Sequence, residues 1–203
     1  MKKHSRPCGS FSIILPTYNR AYCLDRTIQA VLDQTYENWE LIVIDNHSTD
    51  STIQLIENYN ESRIKVVSIH NHGNIAASRN KGLREAQGQY LAFLDSDDWW
   101  RPDKLEKSLL ALETGADFVY NHSIVTREEA TGRLHYKRVN AWQVRSPVFE
   151  DLLLNGNPIC CSRVAVRKHL LDKNGGFSED LELIATEDYD ALLKLARQTE
   201  KFY

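Results

Sequence analysis

The residues best equipped for chemistry are carboxylates set at abrupt ends of apolar runs. Asp95 and Asp97 stand one residue apart in Asp95-Ser96-Asp97-Asp98, directly after Tyr90 to Leu94. Two carboxylates so spaced in a turn can converge on one cation. Hard oxygen ligands suit magnesium or manganese, whose shells are commonly completed by phosphate and water. A cation held there would offset the negative charge growing on a departing diphosphate. Aspartates also start turns and helices with no further role, so the pair alone is a weak signal. Asp45 ends a second apolar run, Leu41 to Ile44. A carboxylate at a strand end can accept an N–H from a nucleobase, and equally can close a local turn. Arg79, in Ser78-Arg79-Asn80, carries a fork of donors that suits a base carbonyl or a phosphate. Glu187 and Asp188 open the last helical pattern. A positioned carboxylate there can take a proton from an attacking hydroxyl, although acidic first turns also simply favour the helix dipole.

These residues must be positioned by the elements around them. Phe11 to Leu15 reads as a buried strand stopped by Pro16, followed by a helix with Leu24, Ile28, Val31 and Leu32 at helical spacing. Leu41 to Ile44 is a second strand, with Asp50 or Ser51 capping the next helix, and Ile64 to Ile69 a third. A helix over Ile75 to Ala86, its end signalled by Gly88, leads to strand four, Tyr90 to Leu94. Pro102 then sits near the start of a helix carrying Leu105, Leu109, Leu110 and Leu112. Such alternation predicts a mostly parallel sheet with helices on its faces, an α/β class in which ligands bind beyond the carboxyl ends of the strands. The second half is less regular. It predicts a strand over Phe118 to Tyr120, a hairpin of Ile124 to Thr126 with Leu134 to Val139 turning near Gly132, and a helix over Val148 to Leu154. A short strand over Ile159 to Cys161 and a final helix over Glu187 to Arg197 follow.

Composition narrows the field. With 203 residues, 42% of them hydrophobic, the chain suits one substantial domain. A net charge of -3 supplies no global field for nucleic acid, so no nucleic-acid partner is expected; the basic tail Lys2, Lys3, Arg6 reads as a solvated terminus. No apolar run approaches the roughly 20 residues that cross a bilayer, and there is no signal-peptide stretch. Cys8, Cys23, Cys160 and Cys161 lack C-x-x-C spacing and fit reduced thiols rather than a disulfide or zinc framework. His70 and His72 alternate within a polar loop without a metalloprotease spacing.

Taken in order, the motifs resemble those of family 2 glycosyltransferases. They are Leu15-Pro16-Thr17-Tyr18-Asn19-Arg20, Val43-Ile44-Asp45, Ser78-Arg79-Asn80 with Gly82, Phe93-Leu94-Asp95-Ser96-Asp97-Asp98, and Thr186-Glu187-Asp188-Tyr189-Asp190. The resemblance runs from about Phe11 to the final helix and implies a GT-A fold over 11–203, after a tail of residues 1–10. Within it, 11–112 would be the nucleotide-binding half and 113–203 the acceptor-side half. It implies inverting transfer from a nucleotide-diphospho-sugar, a UDP-sugar first, to a saccharide or lipid-linked saccharide. The setting would be cell-surface polysaccharide or glycoconjugate synthesis. Thr17 and Asp45 then resemble base-contacting residues, within a nucleotide site that includes Pro16, Tyr18, Asn19 and Ser96. Arg79 resembles the arginine near base or phosphate, and Asp95 the first aspartate of the D-x-D motif, near the ribose. Asp97 resembles its partner on a divalent metal (Mn2+ or Mg2+), with Asp98 sharing that role. Asp188 resembles the general base, beside Glu187.

Two departures bear on these expectations. Family members often carry Asp-Asp-Gly-Ser after the second strand, where this chain has Asp45-Asn46-His47-Ser48, which leaves nucleotide preference open. The sequence stops at Tyr203, where members frequently continue, which leaves open a truncated chain or a compact member. The expected location is cytoplasmic, with peripheral association at the inner face of the membrane if a C-terminal region is missing. Other readings are a nucleotidyltransferase, a non-catalytic nucleotide-sugar-binding module and a dinucleotide-dependent oxidoreductase. The last needs a glycine-rich phosphate turn, which Pro16 to Arg20 is not.

Overall fold

The computed structural model describes residues 9–128 and 134–203. The basic tail, Cys8 and the turn around Gly132 lie outside them. Strands β1 (Phe11–Thr17), β2 (Trp39–Asp45), β3 (Ile64–Ser68) and β4 (Tyr90–Phe93) alternate with helices α1 (Ala21–Leu32), α2 (Thr52–Asn58) and α3 (Ile75–Glu85). Helix α4 (Lys104–Glu113), β5 (Phe118–Val119), the β6–β7 hairpin (Ser123–Glu128, Leu134–Val139) and α5 (Val148–Asn155) follow. The chain closes with β8 (Ala165–Arg167), α6 (Lys168–Asn174) and α7 (Glu187–Ala196).

Six strands form one sheet in the order β3-β2-β1-β4-β8-β5, and β6 with β7 form a separate antiparallel pair. Pairings among β3, β2, β1 and β4 are parallel; β8 runs antiparallel to both β4 and β5. Alternation along each strand feeds two cores. Phe11, Ile13 and Leu15 pack with α1, α2 and α4, whereas Ile14, Ile42 and Ile44 pack with α3, α5, α6 and α7. Helices therefore cover both faces, as a parallel sheet requires. No helix among the described residues is long and apolar enough to cross a membrane.

Three local expectations are corrected. Strand β1 continues through Pro16 to Thr17. The Ile14 carbonyl accepts from Leu94 N on the β4 side, and the Thr17 carbonyl accepts from Asn46 N on the β2 side. That alternation turns Pro16 toward β4 beyond its end at Phe93, where the missing N–H costs no ladder bond. Gly88 does not cap α3, whose cap residue Ala86 is extended. A Cβ at Gly88 would lie 2.6 Å from Ser12 N, so glycine lets the chain enter β4 against the β1 backbone. Ile159 to Cys161 is no strand: a 3₁₀ turn covers Cys161–Arg163, and the strand is β8, which begins at Ala165.

Candidate active site at the carboxyl edge of the sheet

The chain leaves β3 at one edge and returns through α3 to β4 beside β1, so the strand order reverses between β1 and β4. A crevice at such a reversal is where open α/β sheets bind ligands. Thr17 and Asp45 sit in register at its lip, with Asp95 just past β4.

The loops around the crevice are tied to one another. Asp45 is buried and accepts from both the N–H and the hydroxyl of Ser48, closing a turn. Asn19, at φ +51°, accepts from Thr49 N at 2.7 Å and donates its own N–H to Ser48 Oγ at 2.9 Å. Thr17 is buried, and its Oγ1, itself inaccessible to solvent, has no hydrogen-bond partner among the described residues. Pro16 is the strand residue beneath it, and Tyr18 stands half out into solvent.

The acidic turn is clamped from two directions. Thr27 of α1 donates its hydroxyl to the carbonyls of Ser96 and Asp98, at 3.0 and 2.8 Å. From the other side Asp95 N donates to Ser162 Oγ at 3.0 Å, while Trp100 Nε1 donates to the Ser162 carbonyl. Ser96 is thus buried as a framework residue. Asp97 is more than half exposed and meets Arg20 at 3.8 Å. Burial holds the Asp98 carboxyl above the ordinary carboxylate range, with the charges of Asp95 and Asp97 adding to the shift.

Arg79 joins the two ends of the site. Its guanidinium is 4% exposed and donates from Nη1 to Glu187 Oε1 at 2.7 Å and from Nη2 to Asp95 Oδ1 at 3.3 Å. Helix α3 can deliver it there because Gly82 lets the helix lie against β1; a Cβ at that position would be 2.5 Å from Ile14 Cγ2. The next residue, Asn80, holds the approach to α7 by bonding Phe177 through both its N–H and its carbonyl. Arg79 therefore reaches the donor side through Asp95, its terminal nitrogens being engaged by carboxylates. Asp188 lies half-buried beside this pair. Burial pushes its carboxyl up from the ordinary range, Arg79 opposes that shift, and Glu187 and Asp95 reinforce it.

Among the described residues no three acidic, histidine or cysteine side chains form a preformed cation cage. The donor set still fits a hard cation that arrives with phosphate. Asp97 presents an exposed carboxylate and Asp95 a partly exposed one on the same turn. Sequence reasoning missed Ser162 and Thr27, whose roles lie in contacts 62 to 71 residues distant. It also missed Lys104, buried, with its Nζ donating to the Arg163 carbonyl at 2.9 Å.

A mostly parallel sheet, a crevice at its switch point and carboxylates gathered there from β2, β4 and α7 define a GT-A transferase fold. The chain belongs to glycosyl transferase family 2, whose model matches residues 12–175. It is 39% identical over 124 residues to WfgD of Escherichia coli, a UDP-Glc:α-D-GlcNAc-diphosphoundecaprenol β-1,3-glucosyltransferase, covering 60% of this chain and 49% of that one. A glycosyltransferase named for teichuronic acid biosynthesis, TuaG of Bacillus subtilis (strain 168), is 46% identical over 100 residues, 48% of this chain and 40% of its own. The matched stretch thus spans half or less of these relatives. The structure of S. aureus TarS 1-349 in complex with UDP superposes with a TM-score of 0.72 at 26% identity, over 95% of this chain and 56% of that one. The mannosyltransferase PcManGT of Pyrobaculum calidifontis shares the fold at 20% identity, TM-score 0.69, over 96% of this chain and 54% of that one.

Proposed function

We propose that this chain is the catalytic portion of an inverting glycosyltransferase of polysaccharide or glycoconjugate synthesis. It would move a sugar from a nucleotide-diphospho-sugar to a hydroxyl of a saccharide or lipid-linked saccharide. A UDP-sugar is the first donor to test, on the strength of WfgD and of TarS with UDP. A lipid-linked acceptor of the WfgD kind would place the reaction at the membrane face. The observation that carries the reading is the Arg79 fork, which holds the carboxylate after β4 and the Glu187-Asp188 pair in one crevice.

Thr17 and Asp45 would receive the base, with Pro16, Tyr18 and Asn19 shaping that end and Ser96 fixing the acidic turn. Asp97, with Asp95 and Asp98 beside it, would hold a divalent ion (Mn2+ or Mg2+), which when bound supplies charge stabilisation to the leaving diphosphate. Asp188 is the general base. As the acceptor oxygen attacks the anomeric carbon, the bond to the diphosphate oxygen breaks on the opposite face and the hydroxyl proton passes to Asp188. Glu187 holds Arg79 and raises the proton affinity of its neighbour.

The test is initial-rate sugar transfer, with donor affinity measured on the same samples. Asp188→Asn keeps size and polarity but takes no proton, so transfer should fall by about 10²–10⁴ while UDP binding persists. Near-parental turnover, or a product with retained anomeric configuration, would refute the mechanism. Release of pyrophosphate instead of UDP would point to nucleotidyl transfer.

A further inference from the structure

Arg20 sits at the head of α1, outside every role assigned above. Its backbone is fixed: the N–H donates to Thr52 Oγ1 at 3.0 Å, and its carbonyl accepts from Cys23 N and Leu24 N. Its side chain is loosely perched. One nitrogen bonds the hydroxyl of Tyr22, itself 75% exposed, and another lies 3.8 Å from Asp97 Oδ2. That is an ion-pair distance without a close hydrogen bond, between a half-buried arginine and an exposed aspartate, so little free energy holds it there. The perch is nevertheless at a fixed place relative to the acidic turn, because Thr27 on the same helix bonds both Ser96 and Asp98.

Three charge features meet at that point. Asp97 has no other cation within ion-pair distance among the described contacts. Helix α1 is 12 residues long with no acidic residue in its first turn, and its first N–H, that of Ala21, already donates to the Asp50 carboxylate at 3.2 Å. Arg79, the buried arginine of the site, is committed to Asp95 and Glu187. Arg20 is left as the guanidinium beside the exposed Asp97 carboxylate.

We infer that Arg20 is a swinging diphosphate clamp: it neutralises Asp97 in the empty site and turns onto the donor's diphosphate when a divalent ion takes its place. This rests on the donor-site reading above. The guanidinium fork matches phosphate oxygens bidentately and needs only side-chain rotation about a fixed backbone. As an internal counter-ion, Arg20 competes with the metal while the nucleotide is absent and assists it once the nucleotide is bound. Removing its charge therefore changes two equilibria in opposite directions, which loss of a merely structural contact would not do.

The experiment is calorimetry on the 203-residue protein with Mn2+ alone, then UDP in the presence of Mn2+, for the parent, Arg20→Ala and Arg20→Lys. In Arg20→Ala, affinity for Mn2+ alone should rise roughly twofold to tenfold as a nearby positive charge disappears. Affinity for UDP with Mn2+ should fall roughly ten- to hundredfold, the loss of charge-assisted bonds. Arg20→Lys should fall between the two on the second measurement, keeping charge but losing the fork. Circular dichroism of each variant confirms that the substitution leaves the fold intact. Parental UDP affinity in Arg20→Ala, or both affinities falling together, would overturn the clamp while leaving the donor site standing. A parent that shows no Mn2+-dependent UDP binding would overturn the donor-site reading and the clamp with it.

Discussion

Replacing Arg79 by Met tests whether one buried arginine braces the site. The guanidinium contacts two carboxylates that differ in their access to water. The Asp95 side chain is 29% exposed and can hydrate when its partner is lost, whereas that of Glu187 is 8% exposed and cannot. Glu187 Oε2 already lacks a hydrogen-bond partner among the described residues, so Arg79 is the main compensation for that charge. Breaking a buried pair from one side typically costs about 3–5 kcal/mol, against a total stability of about 5–15 kcal/mol for a domain. Arg79→Met should therefore lose about 3–5 kcal/mol in urea unfolding at pH 7. Because most of the loss is the stranded Glu187 charge, the double variant Arg79→Met/Glu187→Met should recover about 1–2 kcal/mol relative to Arg79→Met alone. Denaturation curves of the parent, both single variants and the double variant close the cycle. A cost below about 1 kcal/mol for Arg79→Met, or a double variant no more stable than Arg79→Met, would refute the bracing argument.

Since Asp188 in the fold holds its proton above the ordinary aspartate range, the acid limb of the transfer rate should lie above about pH 4. Glu187→Gln removes a negative neighbour and should move that limb to lower pH, which a kcat/KM profile reads directly. Lys104 is pushed down by burial to about 7, so between pH 7 and the ordinary lysine range the unfolded chain binds the extra proton and stability rises with pH. Urea unfolding at pH 7 and pH 9 should show a gain of about 2 kcal/mol in the parent that Lys104→Met lacks. Gly82→Ala sets a Cβ against Ile14 and should destabilise by about 1–3 kcal/mol in the same assay, with parental stability excluding the close approach. Asp45→Ala should weaken UDP binding by about 1.5–3 kcal/mol in calorimetry; equal affinities across a nucleotide panel would reduce Asp45 to a turn residue.

Strands β1, β2 and β4 are legible in the sequence because each is a short, largely apolar run buried on both faces, and the edge strand β3 because Ile64, Val66 and Val67 keep it apolar although Lys65 is exposed. Their carboxyl ends mark where Thr17, Asp45 and Asp95 must lie. Strand β8 is not legible. Ala165-Val166-Arg167 is three residues long, and only its place between β4 and β5 makes it a strand. The same holds for the partners of Arg79. The sequence marks the residue as a donor but not its acceptors, one of which is 108 residues away on another helix. Gly88 carries the usual signal of a helix end, yet here the glycine serves close backbone approach, and a local rule has no access to that neighbour. Pro16 misleads in the opposite sense: a residue that normally stops a ladder is tolerated because the adjoining strand has already ended.

The placement of β8 dictates an order of assembly during synthesis. Strand β5 leaves the ribosome at residues 118–119, but its sheet neighbour is β8 at 165–167, and Phe202 bridges to Phe118. The layer β3-β2-β1-β4 with α1, α2 and α3 can close as soon as β4 emerges, while β5 must wait for more than forty further residues. Throughout that interval β4 presents an open edge of unpaired backbone, the kind of surface that recruits strands from other chains. A nascent chain halted between residues 120 and 160 would already carry Thr17, Asp45 and Asp97, yet would leave that edge uncovered. Such a fragment should aggregate, and adding back residues through β8 should make it soluble.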